Sequence, residues 1–325
     1  MDGLMGFSRR RKVSKAVRTL SEIDELVDWR VLAEIVRVLD KSGTSRGGRP
    51  PIGFEIKLKM MFLQYLFNLS DEELEDQIID RLSFQHFAGL SFNEEIPDFT
   101  TIWKFKEALT KAGLMDSIFN AILSQLETKG LIVRKGTMID AIIIQSGNRP
   151  LSNKKREELE NEPSPQIDTE ARSTAKNGKK HFGYKGHVGV DVESKIIRKR
   201  TFTPANVHDS QEMENLMSGD EQSVWADKAY PKEMDKRAAR ALGIYYGVLD
   251  KGKRGHKLSN KQKKRNRQKS RVRAAVEHTF GFMRKKLKVT VLAAKNKLRN
   301  ALRFDMWCII HNLCRASFLI KKKLA

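Results

Sequence analysis

Residues 131–147 read LIVRKGTMIDAIIIQSG, and at this stretch the hydrophobic pattern changes. Upstream, from Phe54, apolar residues recur with helical spacing. From Leu131 the period is two, rich in Ile and bounded by Gly, which predicts a strand. Alternate side chains of a strand share a face, so Met138, Asp140, Ile142 and Ile144 point the same way and the one carboxylate lies among apolar neighbours. A buried, unpaired charge is costly. Asp140 therefore needs a Lys or Arg partner, or a metal cation.

Downstream, a polar, Pro-containing segment from Asn148 to Lys180 reads as mobile. A hairpin follows: HFGYKGHVGVDV (181–192), a turn at Glu193 and Ser194, then KIIRKRTFTPA (195–205). Helical DSQEMENLMS (209–218), the strand QSVWAD (222–227), the helix PKEMDKRAARALG (231–243) and the strand IYYGVLD (244–250) come next. Strands in hairpin order, then helices alternating with strands, predict an α/β domain: a mixed sheet with helices on both faces. Lys251 to Lys269 is too charged to pack and reads as a solvated loop or arm. The chain closes with a helix around Glu277 and an apolar helix from about Asn300.

Upstream of the strand the chain reads as all helical. A basic arm and one short helical pattern, SEIDELVDWRVLAEIVRVLDK (21–41), end in the breaker-rich SGTSRGGRPPIG (42–53). FEIKLKMMFLQYLFN (54–68) is apolar over most of its circumference, and Ser70 with Glu73 forms a capping box that opens DEELEDQIIDRLSFQHF (71–87). Asp98 or a neighbouring Thr caps the next helix. Its stripe is Ile102, Phe105 and Leu109, leaving Thr101, Lys104 and Lys106 for solvent or phosphate. A further helix ends at Gly130. Short helices with basic polar positions suit a helix-turn-helix DNA reader, or equally a helical dimerisation module. The organisation expected is 1–47 as a basic arm with a short helix, 48–130 as a helical domain, and 131–318 as an α/β domain carrying the basic arm 251–269.

The 325 residues carry 62 Lys and Arg against 40 Asp and Glu, a net charge of +22. Such self-repulsion is relieved by a polyanion, and nucleic acid is the natural one. A membrane is not expected, because the most apolar helix, MWCIIHNLCRASFLI (306–320), is interrupted by His311, Asn312 and Arg315. The amino terminus lacks the apolar core of a signal peptide, so a cytoplasmic location is expected. Cys308 and Cys314, with His311 between them, make an incomplete ligand set and read as core.

Two more acids stand out. Asp227 ends its strand just before KAYPKEMDK, where an Asp also serves as a cap or turn residue. Glu277 is the single acid between Lys251 and Lys288. On a helical wheel Val272, Val276, Thr279, Phe280, Met283 and Leu287 form an apolar stripe, with Ser270, Arg273, Glu277 and Arg284 along its edge. An ion pair with Arg273, one turn earlier, would explain why Glu277 is tolerated. A divalent cation would explain why it is there: carboxylates gathered from separate elements repel one another unless Mg²⁺ or Mn²⁺, which favour hard oxygen ligands, neutralise them.

Three segments in order, GTMIDAIII (136–144), VWADKAY (224–230) and RVRAAVEHTFGFMRK (271–285), resemble the catalytic blocks of Asp-Asp-Glu (DDE) transposases of bacterial insertion sequences, specifically the insertion-sequence-five family. HFGYKGHVGVD (181–191), TPANVHDS (203–210) and the helical residues 48–90 and 96–109 are also similar to that family, so the likeness runs from about Gly48 to about Cys314. The resemblance implies a ribonuclease H-like sheet preceded by a helical DNA-binding domain. It implies Asp140, Asp227 and Glu277 as catalytic ligands of a pair of Mg²⁺ or Mn²⁺ ions. Arg273 falls on the Arg of the family's Tyr-Arg-Glu-Lys signature and would contact DNA phosphate. Ser270 stands where Tyr is usual, and Arg284, with Lys285 adjacent, where Lys is usual. Lys185 and His187 in the hairpin are candidates to line the DNA path, and Lys104 to touch DNA from the helical domain. His208 and Asp209 match a loop of the family, although Asp209 with Glu212 also makes a helix cap.

The implied activity is cleavage at transposon ends and joining of the freed 3′-hydroxyl to target DNA, by phosphoryl transfer on double-stranded DNA. Pairing two ends implies a homodimer or a larger synaptic assembly. A ribonuclease H-fold nuclease without strand transfer would share the three acids, and a non-catalytic DNA-binding relic should have lost at least one of them.

Overall fold

The computed structural model describes residues 14–40, 52–91, 94–162, 164, 167–176, 178–230, 233–252, 257–289, 291–292 and 294–324. The start of the basic amino-terminal arm and most of the Gly, Arg and Pro run 42–53 lie outside them.

The single helix expected over 21–41 is two, α1 (Lys15–Leu26) and α2 (Trp29–Val36), because Asp28 turns its carboxylate onto the Arg30 N–H and restarts the helix. Helix α3 (Phe54–Phe67) is buried on most sides, as its near-continuous apolar sequence requires, and stops at Asn68 in the left-handed conformation. The Ser70–Glu73 capping box opens α4 (Asp71–Asp80), as read, but the run then breaks at extended Arg81 before α5 (Leu82–Ala88). Asp98 caps α6 (Phe99–Ala112) by accepting from the Thr101 N–H, and α7 (Met115–Thr128) completes the amino-terminal helices.

Strand β1 (Thr137–Ser146) lies within the stretch read as a strand from Leu131, but residues 131–136 before it are not strand. The segment read as mobile instead holds α8 (Asn153–Asn161) and strand β2 (Arg172–Lys176). Side chains gave no signal for β2, which is mostly exposed. It is held by its ladder to β3 (Lys179–Asp191) and by buried Asp168, which accepts from the Tyr184 hydroxyl at 2.7 Å and from the Glu170 and Ala171 N–H groups. β3 pairs antiparallel with both β1 and β4 (Ile197–Pro204). The helix expected at 209–218 is two short 3₁₀ turns, Asp209–Gln211 and Glu214–Leu216. β5 (Ser223–Ala226) runs parallel to β1; α9 (Glu233–Ala241) leads to β6 (Tyr245–Tyr246), shorter than read and parallel to β5. The order β4-β3-β1-β5-β6, antiparallel on one side of β1 and parallel on the other, is the ribonuclease H-like mixed sheet.

Over 260–269, helix α10 (Asn260–Lys286) corrects the reading of 251–269 as a solvated loop or arm. Ser259 and Gln262 form a capping box, and Lys, Arg and Gln are good helix formers, so the basic run is helical from Asn260 with most of its side chains in solvent. Lys269 is the exception: buried, it donates to the Val248 carbonyl at 2.7 Å. A short strand β7 (Val291–Leu292) pairs with the end of β1.

Helix α11 (Lys297–Leu324) packs on α1, α3, α6, α7 and β4, so one apolar core joins the helical region to the sheet. The polar residues that interrupt it satisfy the β3–β4 hairpin. Asn312 accepts from the Ile197 N–H and donates to the Ile197 carbonyl, both at 2.8 Å; His311 meets the Lys195 carbonyl and Arg315 that of Ser194. Cys308 is fully buried in this core. Among the described residues no helix is long and apolar enough to cross a membrane.

Candidate active site

The parallel ladder sets Thr137 opposite Val224, Met138 opposite Trp225 and Ile139 opposite Ala226. One residue further along both strands come Asp140 and Asp227, so backbone register brings together two acids that lie far apart in sequence. Helix α10 packs across β1 and β5 and presents Arg273 and, one turn later, Glu277. All four side chains line one cavity of about 700 Å³.

Arg273 ties the aspartates together. Its Nη2 donates to Asp140 Oδ2 at 3.2 Å, and its Nη1 lies 3.6 Å from Asp227 Oδ1. Asp140 also accepts from the Ala141 N–H at 2.9 Å, and Asp227 from the Lys228 N–H at 2.7 Å. Burial raises the Asp140 pKa, and attraction to Arg273 offsets only part of that rise. For Arg273, burial opposes the charge, yet the fields of Asp140, Asp227 and Glu277 outweigh it and hold the guanidinium above its ordinary value. Glu277 is exposed, and the ion pairs of Arg273 go to the two aspartates. The one-turn pairing considered from sequence is replaced by a longer-range one to the strands.

Away from these acids the cavity wall mixes apolar side chains, Ile143 and Phe280 among them, with basic ones. Arg284 joins it from α10, Lys185 from β3, and Lys176 with Thr174 from β2. Lys185 Nζ is 2.8 Å from both Asp209 Oδ1 and the Val207 carbonyl, and Asp209 lines the cavity as a fourth carboxylate; the cap of its 3₁₀ turn is His208, which accepts from the Ser210 N–H, and not Asp209. His187 does not reach the cavity. It is fully buried, its Nε2 2.9 Å from Thr203 Oγ1, and burial pushes its pKa down to about 4. Lys285 is exposed on the last turn of α10 and Lys104 on α6; neither lines the cavity.

Sequence reading missed Lys176 and Thr174, because they belong to the strand hidden in a polar segment. It also missed Tyr230, which lies buried within the fields of Asp140, Asp209 and Asp227, its hydroxyl lacking a hydrogen-bond partner among the described residues. The motif VWADKAY contained Tyr230, but only the fold shows which way it turns.

Two aspartates and a glutamate offer hard anionic oxygens, the donor set that suits Mg²⁺ or Mn²⁺. The described residues contain no group of three or more ligating side chains already gathered for a metal. Arg273 lies between the two aspartates instead. The donor chemistry fits a divalent cation.

Residues 134–313 match a family model described as a transposase DDE domain, and residues 7–108 one described as a transposase domain (DUF772). A solved cryo-EM structure of a piggyBac transposase synaptic complex with hairpin DNA is similar at 9% identity and a TM-score of 0.47, over 96% of this chain and 77% of that one.

Proposed function

We propose a function from one premise: the chain belongs to the transposases that carry a DDE domain. Within that family we assign it to a bacterial insertion sequence of the insertion-sequence-five kind. It binds the terminal inverted repeats, cuts at the transposon end and joins the freed 3′-hydroxyl to target DNA, acting in the cytoplasm where that DNA lies. The observation that carries this reading is the β1–β5 register, which sets Asp140 beside Asp227 under the helix bearing Glu277.

Asp140, Asp227 and Glu277 would hold Mg²⁺ or Mn²⁺, which supplies Lewis-acid polarisation and neutralises charge on the oxygens exchanged at phosphorus. The rest falls to the chain's own groups. Lys176, Lys185 and Arg284 draw the phosphodiester into the cavity and spread its negative charge. Both reaction steps exchange one oxygen for another in line at phosphorus, so rigid placement of the scissile phosphate matters more than a covalent protein group. The sheet and α10 supply that rigidity. The exposed basic face of α10 over 261–267 extends the phosphate-binding surface beyond the cavity. Two ends must be paired before joining, so the working form is a homodimer or a larger synaptic assembly.

The test is a joining assay with a labelled duplex carrying the terminal repeat from beside the gene, a plasmid target and Mg²⁺. Label covalently joined to the plasmid supports transposition. Nicked plasmid with no joined label would identify a nuclease instead.

A further inference from the structure

We infer that Arg273 is the resident cation of this site: it competes with the divalent metal for Asp140 and Asp227, and is released onto the substrate phosphate when metal loads. The inference rests on the proposed carboxylate site.

A single guanidinium uses two different nitrogens on two acids, 3.2 Å from Asp140 and 3.6 Å from Asp227. The parallel register forces those acids together, so without a cation between them their charges would be adjacent and only partly screened, Asp140 being largely buried. A divalent cation held by Asp140 and Asp227 would draw on the carboxylates that the guanidinium already engages, so the two would compete. Arginine does not release them by losing its proton, since it stays charged at every accessible pH. It leaves only by rotating.

Rotation has a destination. Arg273 lies on the cavity wall one helical turn before Glu277, and the same cavity carries Arg284 and Lys176, the groups placed to meet a phosphate. A bound phosphodiester therefore offers the displaced guanidinium a new anion, with a geometry it can grip through two N–H groups. Metal and DNA then assist one another, each lowering the cost of Arg273's move for the other, and the assistance is reciprocal. Without DNA, the arginine weakens the site's hold on metal.

The experiment is a Mn²⁺ titration of the full-length, DNA-free protein, followed by electron paramagnetic resonance of the unbound ion. Arg273→Gln should bind Mn²⁺ about tenfold more tightly than the wild type, within the usual range of coupling between sites. Arg273→Lys keeps a charge on a shorter reach and should fall between. Asp140→Asn and Asp227→Asn should weaken binding. Circular dichroism checks that each variant is folded, and Arg273→Lys carries the comparison if the glutamine variant is not. Weakening by the aspartate variants with no tightening in either Arg273 variant would overturn the competition alone. Mn²⁺ binding indifferent to both aspartates would overturn the carboxylate site and the inference with it.

Discussion

Ile139 on β1 lies opposite Ala226 on β5, and the parallel ladder that pairs them carries the next residues, Asp140 and Asp227, to the same end of the sheet. The strands that lead into the acids are joined by backbone hydrogen bonding, and Arg273 closes the gap between the two carboxylates. Substitutions here should therefore affect chemistry far more than fold.

Replacing Asp140 or Asp227 with Asn keeps the shape while removing the anion and turning one acceptor oxygen into a donor. Cleavage at a transposon end should fall by about 10² or more, the scale of removing one electrostatic interaction made in the transition state. Gel-shift affinity for the terminal repeat should change little, because the basic groups of the wall and α10 remain. A parallel loss of DNA binding would place these acids in the scaffold instead.

The exposed start of α10 should act through charge alone. Lys261, Lys263, Lys264 and Arg267 are exposed there. Changing all four to Gln should flatten the dependence of log affinity on log salt by roughly 0.9 for each phosphate no longer neutralised. Filter binding between low and moderate salt measures it, and an unchanged slope would remove this helix from the DNA surface.

Stability should decline below neutral pH. Burial lowers the pKa of both His187 and His311 to about 4, from an ordinary 6.5. Both rings are neutral in the folded chain but take up protons on unfolding, so their contribution is complete above pH 6.5 and is lost as pH falls toward 4. Urea midpoints at about pH 7 and about pH 5 should differ, and the difference should shrink in a His187→Gln, His311→Gln protein.

Asn312→Leu tests the junction between α11 and the hairpin. The change would strip the Ile197 N–H and carbonyl of their buried partners, at a cost of about 1–3 kcal/mol for each group left unsatisfied. A lower melting temperature with unaltered DNA affinity is the expected result.

Much of this was legible before the fold was known, for physical reasons that can be named. The change of period at Leu131 located β1, and the alternation around Asp140 marked a carboxylate in need of a cation. Capping at Ser70 and Asp98 located α4 and α6 because those signals are local. What was not legible depends on distant partners. Strand β2 carries no apolar alternation and exists through its ladder to β3, so Lys176 could not be placed. His187 shares a strand face with Lys185, yet it is closed in against Thr203 of β4 while Lys185 stays at the cavity. The basic run before Glu277 looked too charged for structure, although its Lys, Arg and Gln are good helix formers and the capping box at Ser259 offsets their modest mutual repulsion. Asn312 looked like a mere interruption of an apolar helix until Ile197 appeared opposite it.

The most direct measurement is single-turnover cleavage of a transposon-end duplex in Mg²⁺ by the wild type and by Glu277→Gln, the one substitution that removes the acid of α10 without touching the aspartates or their arginine. The account predicts cleavage in the wild type and its near-complete loss in the variant, with DNA binding and melting temperature preserved. Full Mg²⁺-dependent cleavage by Glu277→Gln would contradict it.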